Sequence, residues 1–332
     1  MRITSITPMK NEAPFLLEWV AYHRLIGVND ILVFTNHCTD GTDLMLERLD
    51  EMGLVRHYPN PSVYQDETNH HWHVIRYINT SQRLRRSDWV VSFDADEFIV
   101  VKPGQGLLSD LFAAVPEANV ISMSQRNFGS SGIETLTDDL QIGQFTKAWA
   151  TEGAYHPRID RRGTKTLTHR SAAPRRWNNH SPLWDEARPG HVRIVNGSGT
   201  PLVDVNLRRQ IKSLTAPQYG FDLVQLNHYP LRSLEAFVLK RDRGNANHDD
   251  RSADYRYWER YDHNTVQDDT AARLRGDVEA ARAELLKDPE LSDLHAKAIA
   301  AARAKIAQLQ ETPAIQKLVK RIKEREALRK AS

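Results

Sequence analysis

The chain of 332 residues has little cysteine: Cys38 is the only one. An intrachain disulfide and a zinc site built from thiolates are therefore excluded. No apolar run approaches the roughly 20 residues that span a bilayer, and the N-terminus lacks the apolar core of a signal peptide, so a cytoplasmic location is the default expectation. The net charge of only +2 argues against a strongly basic nucleic-acid-binding protein.

The first fifty residues repeat one order of elements. Ile3–Thr7 is typical of a strand, Met9–Glu12 forms a polar loop, and a helix then runs to a glycine at position 27. Asp30–Phe34 predicts a second strand, followed by the polar turn Asn36–Thr42 and a second helix that ends at Gly53. Strand, loop and helix in succession predict an α/β fold with a parallel sheet. Ligands bind at the carboxyl ends of strands in such sheets.

A group of carboxylates follows the next predicted strand. Trp89–Phe93 is rich in β-branched and aromatic residues, which favours a buried strand. Asp94 and Asp96 stand two positions apart, so in an extended chain their side chains point to one face. Magnesium or manganese is the usual partner of such oxygen ligands. A solvated turn is the alternative, and the apolar residues on both sides of the segment argue against it.

The loops at Lys10–Glu12, Asn36–Asp40 and Asp94–Glu97 all follow strands, so we expect them to converge on one edge of the sheet.

The glycine- and serine-rich segment Gln125–Gly132 lacks the spacing of a Walker loop or of a dinucleotide fingerprint. His70–His73 lacks the glutamate of a His-Glu-x-x-His site, which favours a packed or solvated histidine cluster within a helix predicted over 67–86.

Residues 145–230 predict short strands with many arginines and histidines, which suits a phosphate-bearing substrate; a scattered basic surface is the alternative. His228 ends the last predicted strand and is a credible metal ligand.

The charge run Lys240–Gly244 is expected to be solvated. From Asp268 onward the sequence predicts amphipathic helices that pack on the body or on a partner, with a frayed end over 320–332. A catalytic domain over 1–235 and a helical extension over 236–332 are therefore predicted, and the helices could join copies of the chain.

Together these motifs resemble the nucleotide-sugar glycosyltransferases of the GT-A fold, within families 2 and 92. The resemblance spans roughly residues 1–265 and rests on segments that occur in the order found in those families. These segments are Lys10-Asn11-Glu12, Asn36 to Thr42, Asp94-Ala95-Asp96-Glu97-Phe98, Asn127 to Gly132, Lys165-Thr166-Leu167, His180-Ser181-Pro182, Asn227-His228-Tyr229, and Ser233 to Phe237 with Lys240 and Arg243-Gly244. Cys38 departs from the serine that is common in the family.

The resemblance implies a GT-A-like sheet that binds a nucleotide-sugar donor, such as a UDP-sugar, and a glycan or lipid-linked acceptor. It implies that Mn²⁺ or Mg²⁺ bridges the donor diphosphate. The implied donor-binding residues are Asn11, Glu12, Asn36, Asp40, Asp94, Lys165 and Arg243. The implied metal ligands are Asp94, Asp96 and His228, with Asp94 facing either the ribose or a metal-bound water.

In inverting relatives a carboxylate deprotonates the acceptor hydroxyl. Asp185 and Glu186 are the candidates here, because they follow the His180 segment, and Glu134 is a weaker third. Two other functions remain open. A sugar-nucleotide pyrophosphorylase or nucleotidyltransferase would carry a glycine-rich loop after its first strand, which this chain lacks. An inactive nucleotide-sugar-binding protein is disfavoured by the intact Asp94, Asp96 and His228.

Overall fold

The computed structural model describes residues 1–64, 69–150, 161–185, 191–244 and 254–331. The strands are β1 (Ile3–Met9), β2 (Asp30–Thr35), β3 (Arg56–Pro59), β4 (Trp89–Ser92), β5 (Glu97–Val101), β6 (Val120–Asn127), β7 (Lys147–Ala148), β8 (Arg161–His169), β9 (Ile194–Asn196), β10 (Ser213–Thr215), β11 (Val224–His228) and β12 (Val266–Gln267). The helices are α1 (Ala13–Leu25), α2 (Thr42–Glu51), α3 (His70–Thr80), α4 (Leu108–Ala114), α5 (Gln141–Gln144), α6 (Leu234–Arg243), α7 (Tyr255–Tyr261), α8 (Arg275–Leu285), α9 (Pro289–Gln310) and α10 (Pro313–Ala331).

The central sheet has the order β3-β2-β1-β4-β8-β6-β11-β5. Its first half, β3-β2-β1-β4, is parallel, as the repeated strand-loop-helix pattern predicts. The second half is mixed: β8 runs antiparallel to β4 and β6, and β11 runs antiparallel to β5. The prediction of a parallel sheet is therefore wrong for this half. Only residues 93–96 separate β4 from β5, yet β5 pairs with β11 at the far end of the sheet order and not with β4. The predicted fold class, α/β with C-terminal helices, is confirmed.

Three predicted boundaries need correction. The helix expected over 67–86 is the shorter α3, since the chain turns extended at Ser81 before a 3-10 turn over Arg83–Arg86. β6 continues to Asn127, so the first residues of the predicted glycine-rich turn belong to the sheet, where Gln125, Arg126 and Asn127 pair with β11. Residues 145–230, for which the sequence predicts only short strands, also contain β8, a strand of nine residues.

The first helix is buried on nearly all sides. Trp19, Val20 and Tyr22 are at most 1% exposed, because the sheet covers one side of α1 and the C-terminal helices α8 and α9 cover another. Val278 of α8 and Leu291 of α9 are fully buried members of the same core. The C-terminal helices therefore complete the main core, while the predicted domain boundary at 235/236 stays a prediction.

A second core cluster joins α6, α7 and α10. Ile315, Leu318 and Ile322 recur at helical spacing on α10 and are buried there. The fraying predicted over 320–332 is wrong for the described part of that segment, because α10 continues to Ala331 and Ile322 is only 1% exposed. Within the described ranges, no helix is both long and apolar enough to cross a membrane.

Candidate active site

The loops that follow β1 and β2 meet at the carboxyl edge of the sheet, as expected. The Asn11 side chain accepts a hydrogen bond from the Thr39 backbone N–H at 2.8 Å and donates one to the Thr39 hydroxyl at 3.1 Å. Asp40 accepts hydrogen bonds from the Ala13 N–H at the start of α1 and from the backbone and hydroxyl of Thr42 at the start of α2. The two predicted donor-binding residues Asn11 and Asp40 therefore fix the loops and the helices that begin there.

Asn36 lies at the end of β2 and is 2% exposed. Neither its amide nitrogen nor its amide oxygen has a hydrogen-bond partner among the described residues. Burying an amide without partners costs free energy, and such a group in a native structure calls for a partner that binds there. A planar ligand edge that offers one donor and one acceptor would satisfy both atoms of this side chain.

Asp94 follows β4 and faces a lysine from the neighbouring strand β8. The Lys165 ammonium lies 3.3 Å from Asp94 Oδ2 and 3.7 Å from Glu97 Oε2. Although enclosure opposes its ionisation, Lys165 keeps the pKa of Asp94 below its ordinary value. Glu97 is fully buried, accepts from the Asp94 N–H at 2.8 Å and from the Gln125 side chain at 2.7 Å, and its pKa is raised to about 7, chiefly by burial. Glu97 and Lys165 therefore orient the Asp94 turn.

Asp96 meets a lysine and a histidine at the same edge. Lys240 of α6 donates to Asp96 Oδ2 at 2.8 Å, and His228 Nε2 lies 3.8 Å from that oxygen. Although burial opposes ionisation, Lys240 keeps the pKa of Asp96 well below its ordinary value. Burial lowers the pKa of His228 to about 4, so its ring is neutral at pH 7. Its Nδ1 lies 2.8 Å from the amide oxygen of Asn127, which only accepts, so Nδ1 carries the proton and Nε2 presents a lone pair towards Asp96.

Glu12 stands in a buried cluster with two arginines. Arg232 Nη1 donates to Glu12 Oε2 at 2.7 Å, and Arg243 donates to Glu12 Oε1. Although burial opposes ionisation, these guanidiniums keep the pKa of Glu12 below its ordinary value. Arg243 also donates to the backbone carbonyls of Lys10 and Asn11. The first loop and α6 are thus held together by charge-assisted hydrogen bonds.

The sequence motifs gave Arg232, Lys240 and Glu97 no role at the site. Lys240 and Arg243 belong to the charge run that was expected to be solvated, yet their side chains are only 20% and 9% exposed, so that prediction is wrong for them. Their spacing of three on a helix was the available signal, because it places both cations on one face. Arg232 has a positive φ of 58°, and no sequence signal marks it.

The predicted base candidates lie apart from these clusters. Asp185 is 62% exposed and pairs with Arg175 at 3.2 Å. Glu186 lies outside the described residues. Glu134 is 56% exposed and pairs with Lys323 of α10. The roles of all three as a catalytic base stay predictions.

The histidines at the start of α3 are packed. His70, His71 and His73 are each at most 9% exposed, and His70 Nδ1 bonds the Ser62 hydroxyl at 2.7 Å. Across the described ranges, no group of three or more histidine, cysteine, aspartate or glutamate side chains is arranged to hold a metal ion. An ion at Asp96 and His228 would therefore need further ligands from a substrate.

Comparison with known proteins gives a consistent set of matches. The family described as Glycosyltransferase family 92 matches residues 3–199. A glycosyltransferase family 92 protein of Oryza sativa subsp. japonica is 25% identical over 242 residues, which are 70% of this chain and 34% of that protein. A family 92 protein of Ricinus communis is 28% identical over 133 residues, 39% of this chain and 23% of that protein. The chain thus spans about a third of the length of the rice relative.

Solved structures are similar over less of the fold. S. aureus TarS is 16% identical with a TM-score of 0.29 and covers 41% of this chain and 23% of its own. Residues 1–349 of TarS in complex with UDP are 15% identical with a TM-score of 0.27, over 44% of this chain and 43% of that one.

Proposed function

Because the chain belongs to glycosyltransferase family 92, we propose that it transfers a sugar from a nucleotide-diphosphate donor, such as a UDP-sugar, to a hydroxyl group of a glycan or lipid-linked acceptor. The observation that carries this proposal is the pair Asp94 and Asp96 at the carboxyl edge of the sheet, each with a lysine within 3.3 Å. The two ammonium groups, held by these carboxylates, suit a diphosphate, because its negative charge grows as the bond to the sugar breaks.

The chain supplies the cations that this leaving group requires. Lys165 and Lys240 are held at the edge by Asp94 and Asp96 respectively. Fixed ammonium groups stabilise the developing negative charge without reorganising during the reaction. Their carboxylate partners keep them in place before the donor binds.

The residues at this edge also fit a divalent cation. The Nε2 lone pair of His228 and the Asp96 carboxylate face each other, and Asn127 holds the other ring nitrogen as a typical partner of a metal-bound histidine. Mg²⁺ is commonly bound by one or two carboxylates together with substrate phosphates, and Asp94 would hold a metal-bound water. A bound ion would act as a Lewis acid on the diphosphate.

The donor base would bind next to Asn36. The buried amide of Asn36 offers one donor and one acceptor that are unused within the described parts of the chain. A uracil edge presents the complementary N–H and carbonyl groups. The acceptor hydroxyl would then approach from the side of the sugar opposite the diphosphate, with inversion, and Asp185 or Glu186 would take its proton.

Calorimetric titration with UDP, with and without manganese, tests this proposal. We expect manganese to strengthen UDP binding to the natural protein, and Asp96→Asn to abolish that gain, because the substitution removes one carboxylate oxygen from the ion. Asp204→Asn is the matched control, since Asp204 is an exposed aspartate outside the clusters described above.

Binding that depends neither on manganese nor on Asp96 would overturn the metal assignment while leaving a nucleotide site. No binding of UDP by the natural protein would overturn the choice of a uridine donor. Release of pyrophosphate from UTP and a sugar 1-phosphate would instead show a nucleotidyltransferase.

A further inference from the structure

A cavity of about 390 Å³ lies beside the donor edge, between the N-terminal end of α1, helix α6 and helix α9. We call it the α9 pocket. Ala301, Ala302 and Lys305 of α9 form one of its walls. This helix lies beyond the residues 3–199 that match the family, and Asn36 is not on the pocket wall. Asn11, Asp40 and Arg243, which the resemblance implies as donor-binding residues, do line it, whereas Asn36, beside which the donor base is proposed to bind, does not.

Several cations line the α9 pocket. Arg243 lines it, is 9% exposed, and has a side-chain Nε–H without a hydrogen-bond partner among the described residues. Lys240 and Lys305 line the same cavity, and Lys305 is held by Asp242 at 3.2 Å. A buried N–H that points at no acceptor is satisfied when an anionic oxygen binds there.

The rest of the pocket wall is largely apolar. Phe15, Leu239, Ala301 and Ala302 line it, and the guanidinium of Arg232 covers the Phe15 ring at 3.8 Å. The small alanines leave open space against α9. Burial of a hydrocarbon chain on such a surface is favourable by about 0.8 kcal/mol per methylene group.

Asn11 and Asp40 also line the pocket. Asn11 bonds Thr39, and both carboxylate oxygens of Asp40 accept hydrogen bonds from the starts of α1 and α2. These hydrogen bonds hold both side chains against the loop and the helix ends that they join. A ligand with an anionic head and an apolar tail would contact both the cations and the apolar side chains that line the pocket.

We propose that the α9 pocket binds a phosphate group attached to a hydrocarbon chain, with the phosphate at Arg243 and the chain against α9. This inference rests on the proposed function, because it identifies the acceptor as an amphiphilic phosphate held beside the donor. Lys240 lines the pocket and also bonds Asp96, so it places the pocket next to the reacting diphosphate.

Calorimetry with octyl phosphate, octyl glucoside and inorganic phosphate tests this proposal on the full chain. Octyl phosphate is expected to bind at least tenfold more tightly than either of the other two, because only it combines charge and chain. Ala301→Trp should weaken that binding at least tenfold by filling the pocket from an exposed helix position. Ala300→Trp is the matched control, since Ala300 is also exposed on α9 but does not line the cavity.

The same titrations are repeated at saturating UDP. Unchanged affinity for octyl phosphate supports a separate pocket, whereas competition by UDP overturns the proposal and assigns the space to the donor. Equal binding by Ala301→Trp and Ala300→Trp, or equal binding of octyl glucoside and octyl phosphate, also overturns it. UDP binding is measured separately on the natural protein, so its loss would count against the donor proposal without altering the result for octyl phosphate.

Discussion

The buried cluster of Glu12, Arg232 and Arg243 gives a quantitative test of how the site is assembled. Glu12 is 4% exposed, and each of its oxygens accepts from one arginine. Glu12→Gln keeps the shape of the side chain but removes its charge. Both arginines then lose their charged acceptor, and one of them faces an amide NH₂ group, which is a donor like itself.

The expected cost follows from the burial of these groups. Removing one partner of a buried ion pair typically destabilises a protein by about 3–5 kcal/mol, because the other charge remains buried without compensation. That is a large part of the roughly 5–15 kcal/mol that stabilises a folded protein. At about 2.1 cal/mol/K of unfolding entropy per residue, a chain of 332 residues loses about 1.4 °C of melting temperature per kcal/mol, so the lower end corresponds to a drop of about 4 °C.

Thermal unfolding followed by tryptophan fluorescence measures this loss. Glu134→Gln is the control, because Glu134 pairs with Lys323 on the surface with both side chains about half exposed. An exposed pair contributes about 0–1 kcal/mol, so this control should melt within about 2 °C of the natural protein. Adding Arg243→Met to Glu12→Gln should restore part of the loss, since it removes the excess buried charge.

Two results would refute this reasoning. Melting of Glu12→Gln within the range of the Glu134→Gln control would show that the arginines do not depend on Glu12. Additive losses in the double variant would show that the two side chains are not coupled through charge, because residues in one network are expected to be non-additive.

Two further predictions concern the proposed metal site at Asp96 and His228 and the close backbone packing at Gly197. Asn127→Leu should weaken manganese-dependent UDP binding about 10–100-fold in calorimetry, because the His228 ring loses the acceptor that fixes its tautomer; unchanged affinity would contradict this role. Gly197→Ala should lower the melting temperature by the equivalent of about 1–3 kcal/mol or more, since its Cβ would overlap the backbone carbonyl oxygens of Gly220 and Val224. Gly276→Ala in α8 has open space around it and should not lower the melting temperature, and equal melting of the two variants would count against the packing argument.

The parallel half of the fold could be predicted from the sequence because its signals are local. Strand, polar loop and helix follow one another within residues 1–53, and the ends of parallel strands must share an edge. The convergence of the Asn11, Asp40 and Asp94 loops follows from that rule alone. The mixed half could not be predicted in the same way, because β8 pairs with β4 and β6 across long stretches of sequence.

The carboxylates of the site were predictable, but most of their partners were not. Asp94 and Asp96 lie within one short segment, so their spacing is visible in the sequence. Lys240 reaches Asp96 across 144 residues and Arg232 reaches Glu12 across 220. Such pairs depend on the position of α6 in three dimensions, and a charge run on a helix is by itself more often solvated.

The position of α6 also connects the C-terminal helices to the chemistry. Lys240 and Arg243 lie on α6, and Phe237 and Val238 of the same helix are buried in the cluster formed with α7 and α10. A change that loosens α10, far from the sheet edge in sequence, would therefore displace the two cations before it disturbed Asp94 or Asp96. The helices beyond residue 234 therefore support the candidate site, since their packing holds α6 and with it the Lys240 side chain that bonds Asp96.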